Sequence, residues 1–333
     1  MIQCYNLLLY FINLNILNLL YKMEVDDMKL IKTGNILKIS LTENLIGYLF
    51  ISPWIIGFLV FLFGPCIYSF YISFTNWDML SFPKFIGFNN YLDLMVDELF
   101  WQSLMVTVRF VVTSVSISIV LSLLLALMLN SNSKAMYVLR TIFYVPSVIS
   151  GIAVAILWSW IFSPDFGIIN YALSIFGIKG PNWLGDPTYA PWTFVIIMCT
   201  TFIGAPMVIF IAGLQNIPQQ LYESSDIDGA NYIQKFFFIT LPGISPIILF
   251  NTITMIIGAF RTFVQAYTIA GKDGNPDHSL FFYIMYLYKK AFQQMDMGGA
   301  SAMSWVFFVI VFVLTAAVLK SSRYWVHYED ERS

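Results

Sequence analysis

Six apolar runs dominate this chain, near residues 47–72, 105–130, 141–163, 191–213, 244–270 and 300–320. A helix rising 1.5 Å per residue over any of them crosses a hydrocarbon core of about 30 Å. Lipid offers no hydrogen-bond partners, so each crossing segment must satisfy its own backbone, which a helix does. The expected fold class is all-α: a polytopic membrane protein, a six-span helical bundle carrying a cytoplasmic helix-turn-helix loop. Only 11% of the 333 residues are charged, against about 25% in a soluble domain. A net charge of −2 leaves no basic footprint for nucleic acid. Cys4, Cys66 and Cys199 have no metal or redox spacing, and the last two fall in apolar runs, so they read as small buried hydrophobes. His278 and His327 are isolated outside the runs, so no metal site is expected.

Lys and Arg set the orientation. With the N-terminus inside, the inner side carries ten of them: Lys22, Lys29, Lys32, Lys38, Lys134, Arg140, Lys235, Lys320, Arg323 and Arg332. The outer side carries five: Lys84, Lys179, Lys272, Lys289 and Lys290. The excess places both termini in the cytoplasm. The expected organisation is an N-terminal cytoplasmic segment at 1–40, a six-span domain at 41–325 and a tail at 326–333. Residues 1–22 are rich in Leu, Asn, Ile and Tyr and lack the basic start and cleavage site of a signal peptide. They read either as an extra helix or as an upstream extension, with Met23 and Met28 as credible starts.

The polar loop at 214–243 then lies in the cytoplasm. It reads as two short helices joined by Gly229, with Pro218 in the first helical turn and Leu241-Pro242 stopping the second. Glu223, Asp226 and Asp228 make its first half acidic, and Phe236, Phe237 and Phe238 make its second half aromatic. An acidic run by itself is an ordinary solvated face. Aromatic residues on a cytoplasmic loop need a cover, either a partner or the ends of the chain's own spans.

Glu223-Ser224-Ser225, Asp228-Gly229-Ala230 and Ile239-Thr240-Leu241-Pro242 resemble the EAA loop of permease subunits from binding-protein-dependent ABC importers, with serines in place of two alanines. The resemblance extends over roughly residues 41–330. Ser73-Phe74-Thr75-Asn76-Trp77-Asp78, Pro83-Lys84-Phe85-Ile86-Gly87 and Asn89-Asn90-Tyr91 look like the first outer loop of sugar-type permeases. Arg140 to Pro146, Gly180 to Leu184 and Ala212 to Pro218 continue the likeness. It implies one of two membrane subunits in a heterodimer, working in a bacterial-type cell membrane. Two separate ATP-binding subunits beneath them would hold ATP and magnesium. An extracytoplasmic solute-binding protein would deliver a sugar or oligosaccharide. Closure of the ATPase pair would switch the spans between inward-open and outward-open states. Coupling to the ATPase would fall to Glu223, Ser224, Ser225, Asp228, Gly229, Leu241 and Pro242. The chain has no Gly-x-x-x-x-Gly-Lys-Ser/Thr loop, so it is expected to be no enzyme and to need no cofactor of its own.

Asn251, Thr254, Gly258, Arg261 and Gln265 are spaced 3, 4, 3 and 4, one face of a continuous helix, with Thr262 beside them. They read either as a cavity-lining face that hydrogen-bonds a polyol, or as interhelical glue with Arg261 snorkelling outward. Ser114, Ser118 and Ser122 read as a packing seam, and Arg109 as a snorkelling residue. Gly204 and Pro206 break the fourth run, giving a hinge with cargo contact or a passive kink. Trp77, Trp101 and Trp183 in the outer loops serve as interface anchors or as contacts to a binding protein.

A rival reading is an ion-coupled secondary transporter of a polar solute. It needs intramembrane acids, and all nineteen Asp and Glu residues fall outside the six runs. A membrane scaffold would leave the polar stripe and the helix break without a purpose.

Overall fold

A computed structural model describes residues 41–131 and 133–327. The stretch 1–22, the rest of the N-terminal segment and the end of the tail lie outside the described residues. The chain divides between Tyr68 and Ser69 into two units.

The first unit holds α1 (Leu41–Phe58), a π turn at Leu59–Phe63 and the start of α2 (Gly64–Ile72). Trp54 stacks on Phe58 at 5.6 Å, and Phe58 on Phe63 at 6.1 Å. From Tyr48 to Phe63 the apolar side chains are exposed, apart from half-buried Ile55, as a lipid-facing span requires. Cys66 is exposed with them, whereas Cys199 is buried. The expectation of two buried cysteines therefore holds for one, because an apolar span need not hide a thiol from lipid.

The second unit opens with a two-residue antiparallel pair, β1 (Thr75–Asn76) with β2 (Lys84–Phe85). Every other element among the described residues is helical. In order these are α3 (Asn89–Val96), α4 (Glu98–Leu129), α5 (Lys134–Val148), α6 (Gly151–Ile161), α7 (Ile168–Ile175), α8 (Ala190–Phe202) and α9 (Gly204–Asn216). Next come α10 (Gln219–Ile227), α11 (Tyr232–Lys235), α12 (Leu241–Gly243), α13 (Ser245–Phe260), α14 (Val264–Ala270), α15 (Tyr283–Tyr288) and α16 (Met297–Ser322).

α4 is the axis of this unit. Its buried stripe, from Ser103 and Thr107 through Ser114, Ser118 and Ser122 to Leu129, recurs at three- and four-residue steps. Asp97 caps its first turn by accepting from the Leu99 and Phe100 N–H groups at 3.0 and 3.4 Å. The Arg140 guanidinium closes the other end by donating to Leu129 O and Ser131 O at 2.7 and 3.0 Å. A cation there also complements the helix dipole. Phe110, Phe194, Phe282 and Tyr283 form the centre of the core, joining α4, α8 and α15. Tyr283 pins α15 in place: its N–H donates to Thr107 Oγ1 at 2.8 Å and its O–H to Met303 O at 2.7 Å.

Among the described residues three apolar helices are long enough to cross unbroken: Gly47–Ile72, Glu98–Leu129 and Met297–Ser322. The other three runs are bent pairs. α5 and α6 turn by 105°, α8 and α9 by 48°, and the pair from Tyr232–Gly243 to α13 by 63°. The expected third run, 141–163, is thus a bent pair of helices and not one continuous helix. Pro146 lies inside α5, and Ile149 and Ser150 are extended before Gly151. Hydropathy stays high across the bend, so the apolar pattern alone does not register it. The fifth run is corrected as well. Its helix ends at Phe260, and Arg261 to Phe263 separate it from α14.

Candidate functional site

The loop after α9 is a clasp of two short helices. Ile217 turns extended and Pro218 becomes the N-cap of α10, one position earlier than expected. Gly229 closes α10 in the left-handed region at φ 74°. The Ala230 N–H reaches Ser225 O at 2.9 Å, and the Gly229 N–H reaches Asp226 O at 3.2 Å. These two bonds satisfy carbonyls that a helix end otherwise leaves open. A Cβ at Gly229 would meet nothing within 4 Å, so glycine is needed there for its φ and not for space.

Asn231 opens α11 with a capping box: its side chain accepts from Gln234 N at 2.9 Å, and Gln234 returns the bond at 2.8 Å. Leu241-Pro242 does not stop this second helix. A π turn at Phe236–Thr240 leads into α12, and the break falls at Ile244. Pro242 directly follows the π turn, where the regular i→i−4 ladder is already interrupted, so its missing N–H is tolerated there.

Two contacts lock the helices together. The Tyr222 hydroxyl bonds Thr240 Oγ1 at 2.9 Å, and Lys235 ion-pairs with Asp226. Both pairings escape a linear reading of the sequence. The available signal is that Tyr222 and Asp226, four apart, share one face of α10. Ser224 and Ser225 turn their hydroxyls back to Leu221 O and Tyr222 O at 3.1 and 2.7 Å. The two serines therefore present little bulk. Glu223 is exposed and accepts from Gln219 Nε2 at 2.9 Å.

Between the helices lies a cleft of about 290 Å³, lined by Ser224, Ser225, Asp228, Gln234 and Phe238 among others. On the same loop Ile227 is 87% exposed, Tyr232 90% and Phe238, which lines the cleft, 79%. Of the three phenylalanines, Phe237 and Phe238 are exposed and Phe236 is half-buried. The loop brings Glu223, Ser224, Ser225, Asp228 and Gly229 onto one rigid piece. Leu241 and Pro242 stand where that piece joins the membrane helix.

The expected stripe along the fifth run is not one face. Asn251 is fully buried and donates to Pro206 O at 3.4 Å, with its Oδ1 unpaired among the described residues. Thr254 and Gly258 are exposed on α13, and Arg261 is exposed at its end. Thr262 is buried in the break with Oγ1 unpaired. Gln265 lies on α14, where its side chain covers Gly151 at the start of α6.

Gly204 sits at the α8–α9 break. A Cβ there would come within 2.8 Å of Phe143 O and 3.0 Å of Tyr144 Cα. Glycine therefore lets α9 close against α5. Neighbouring helices reach carbonyls around this break, Asn251 at Pro206 O and Ser122 at Ile203 O at 3.2 Å. Ser118 donates to Cys199 Sγ at 3.3 Å, so the serines of α4 face the broken helix.

Three segments gather at the loop's end of the molecule. Gln215 bonds Asn130 at 3.4 Å, and the His327 N–H donates to Ser245 Oγ at 2.9 Å. Asn130, the α10–α12 loop and the residues after α16 therefore share one side. At the other end the Met297 N–H donates to Trp77 O at 2.9 Å, and Tyr286 bonds Asp97.

Residues 118–326 match the family described as the binding-protein-dependent transport system inner membrane component. A probable ABC transporter permease protein, YesP of Bacillus subtilis (strain 168), is 45% identical over 292 residues, covering 87% of this chain and 94% of that protein. The trehalose/maltose transport system permease protein MalF of Thermococcus litoralis is 36% identical, covering 86% of this chain and 97% of that one. In three dimensions the chain is similar to one from the crystal structure of a bacterial ABC transporter that imports the acidic polysaccharide alginate. That likeness has a TM-score of 0.74 at 25% identity and covers 85% of this chain and 96% of the other. With a family match over most of the bundle and relatives aligned nearly end to end, this chain belongs to the binding-protein-dependent transport system inner membrane components, the multi-pass permease subunits of ABC transporters.

Proposed function

We propose that this permease carries a sugar or oligosaccharide inward by alternating access, and that the α10–α12 clasp docks on a separate ATP-binding subunit. The observation that carries the docking role is the clasp itself. It is locked by Tyr222–Thr240 and Asp226–Lys235, yet it leaves Ile227, Tyr232 and Phe238 uncovered. A rigid polar loop with an open apolar cleft is suited to receive a partner's side chain. Glu223, Ser224, Ser225, Asp228 and Gly229 form the docking face, and Leu241-Pro242 passes its movement to α13.

The remaining subunits follow from this role. They are a second permease in a heterodimer, two ATPases carrying ATP and magnesium, and an extracytoplasmic solute-binding protein. The trehalose/maltose and alginate relatives support a carbohydrate cargo. Both termini lie in the cytoplasm with the clasp. The basic-residue count supports this. Lys289 and Lys290, which weigh against it, each have an acidic neighbour, Asp273 at 2.7 Å and Asp296 at 3.7 Å. For the cargo path we assign Thr254, Gly258 and Arg261 as lining, with Thr262 and Gln265 at its edge. Asn251 and Gly204 shape it through the break between α8 and α9.

The test is Glu223→Arg in the assembled transporter. ATP-driven uptake should be lost and the ATPase should no longer co-purify, while the chain still reaches the membrane. Normal uptake by that variant removes the docking role. A chain that purifies alone and moves solute without ATP in liposomes would favour the secondary transporter.

A further inference from the structure

A groove of about 530 Å³ lies between α4, the start of α8 and the segment 278–282, at the opposite end of α4 from the clasp. Its chemistry is two-sided. Phe110, Phe194 and Met105 give it an apolar floor and wall, and Arg109 brings one guanidinium to it. No carboxylate lines it. Among the described residues the Arg109 guanidinium has no ion pair or hydrogen bond. Ser279 Oγ, also in the lining, is buried without a partner among the described residues.

The depth of Arg109 can be worked out from α4. The helix has 32 residues, about 48 Å at 1.5 Å each, against a hydrocarbon core of about 30 Å. Its far end is fixed at Leu129 and Ser131 by Arg140. With Leu129 taken at the inner edge of that core, counting back about 30 Å reaches Phe110. Arg109 therefore stands at the membrane boundary, at the level of lipid phosphates. Trp192, also in the lining and 60% exposed, has the place of an interface tryptophan.

We propose that this groove binds an anionic phospholipid, its phosphate on the Arg109 guanidinium and one acyl chain along the floor. A guanidinium matches phosphate geometry through paired N–H donors. Snorkelling alone would need only bulk headgroups; here the cation shares a groove of about 530 Å³ whose floor is apolar. The outer leaflet is assigned from the orientation proposed above, but binding itself does not depend on that orientation.

The test purifies the whole complex in mild detergent after incubation with phosphatidylglycerol or phosphatidylcholine vesicles. Retained lipid is counted by mass spectrometry. Wild type should retain phosphatidylglycerol in preference to phosphatidylcholine. Arg109→Gln should lower its retention roughly fivefold, the contribution of one basic residue at a charged leaflet. Arg109→Lys should retain an intermediate amount, because it keeps the charge and loses the paired donors; retention as low as in Arg109→Gln would overturn the role of charge. Met105→Trp fills the groove from its exposed rim without touching the cation, and should lower retention as well. Equal retention in Arg109→Gln overturns the proposal, and so does equal retention in Met105→Trp. Displacement by inorganic phosphate alone would mean a free-anion site, and displacement by a neutral sugar a cargo site; either result also overturns it.

Discussion

Replacing Gly229 by alanine isolates the backbone conformation that shapes the clasp. The residue sits at φ 74°, where an L side chain costs about 1–2 kcal/mol. Nothing lies within 4 Å of the Cβ position, so no clash adds to this. Alanine also restricts the unfolded loop, which returns about 0.4–1 kcal/mol. The net destabilisation is about 1 kcal/mol, a factor of about five in the local opening equilibrium. The Ala230 amide, bonded to Ser225 O across the turn, reports that opening. Its hydrogen exchange should quicken about fivefold in Gly229→Ala, and ATP-driven uptake should fall with it. Gly229→Asn should exchange almost as wild type, because asparagine tolerates the left-handed region. If asparagine proves as damaging as alanine, or if alanine leaves exchange unchanged, the torsional argument is wrong.

Further outcomes follow from packing and charge. Gly204→Ala should lower the melting temperature in detergent, since overpacking costs about 1–3 kcal/mol and the obstacle is the backbone at Phe143 and Tyr144; an unchanged melt would mean that α5 and α9 part freely. Asn251→Ala should cost about 0.6 kcal/mol, the mean for a hydrogen bond between membrane helices, and should lower uptake; Gln265→Ala should lower uptake alone, and unchanged uptake in both would reduce these residues to packing. The Lys289 hydrogen bond holds the Asp273 carboxyl below its usual range. A depressed carboxyl stabilises the fold above its unfolded pKa of about 3.9 and loses that contribution as pH falls through the folded value. Melting followed downward from pH 5 should therefore show an acid limb that Asp273→Asn weakens and salt screens.

Apolar length alone specified an all-α membrane bundle, because an unbroken apolar run of about 20 residues satisfies its backbone in lipid as a helix, whereas barrel strands are about half as long and alternate. The clasp was legible too. Gly229 and the acidic and aromatic halves of the loop are local signals, and a glycine closing a helix acts on its own few residues. What the sequence left open depends on contacts between segments far apart in the chain. Hydropathy scores each residue alone, so it passed smoothly over the 105° bend between α5 and α6 and the stop at Phe260. The polar stripe divided for that reason: a 3.6-residue period carries a face only while the helix continues. Tyr222–Thr240 and Asp226–Lys235 join residues eighteen and nine apart. Asn251 meets Pro206 across 45 residues. No periodicity encodes such pairs; they exist only once the helices have packed and a buried polar group must find its partner among its neighbours.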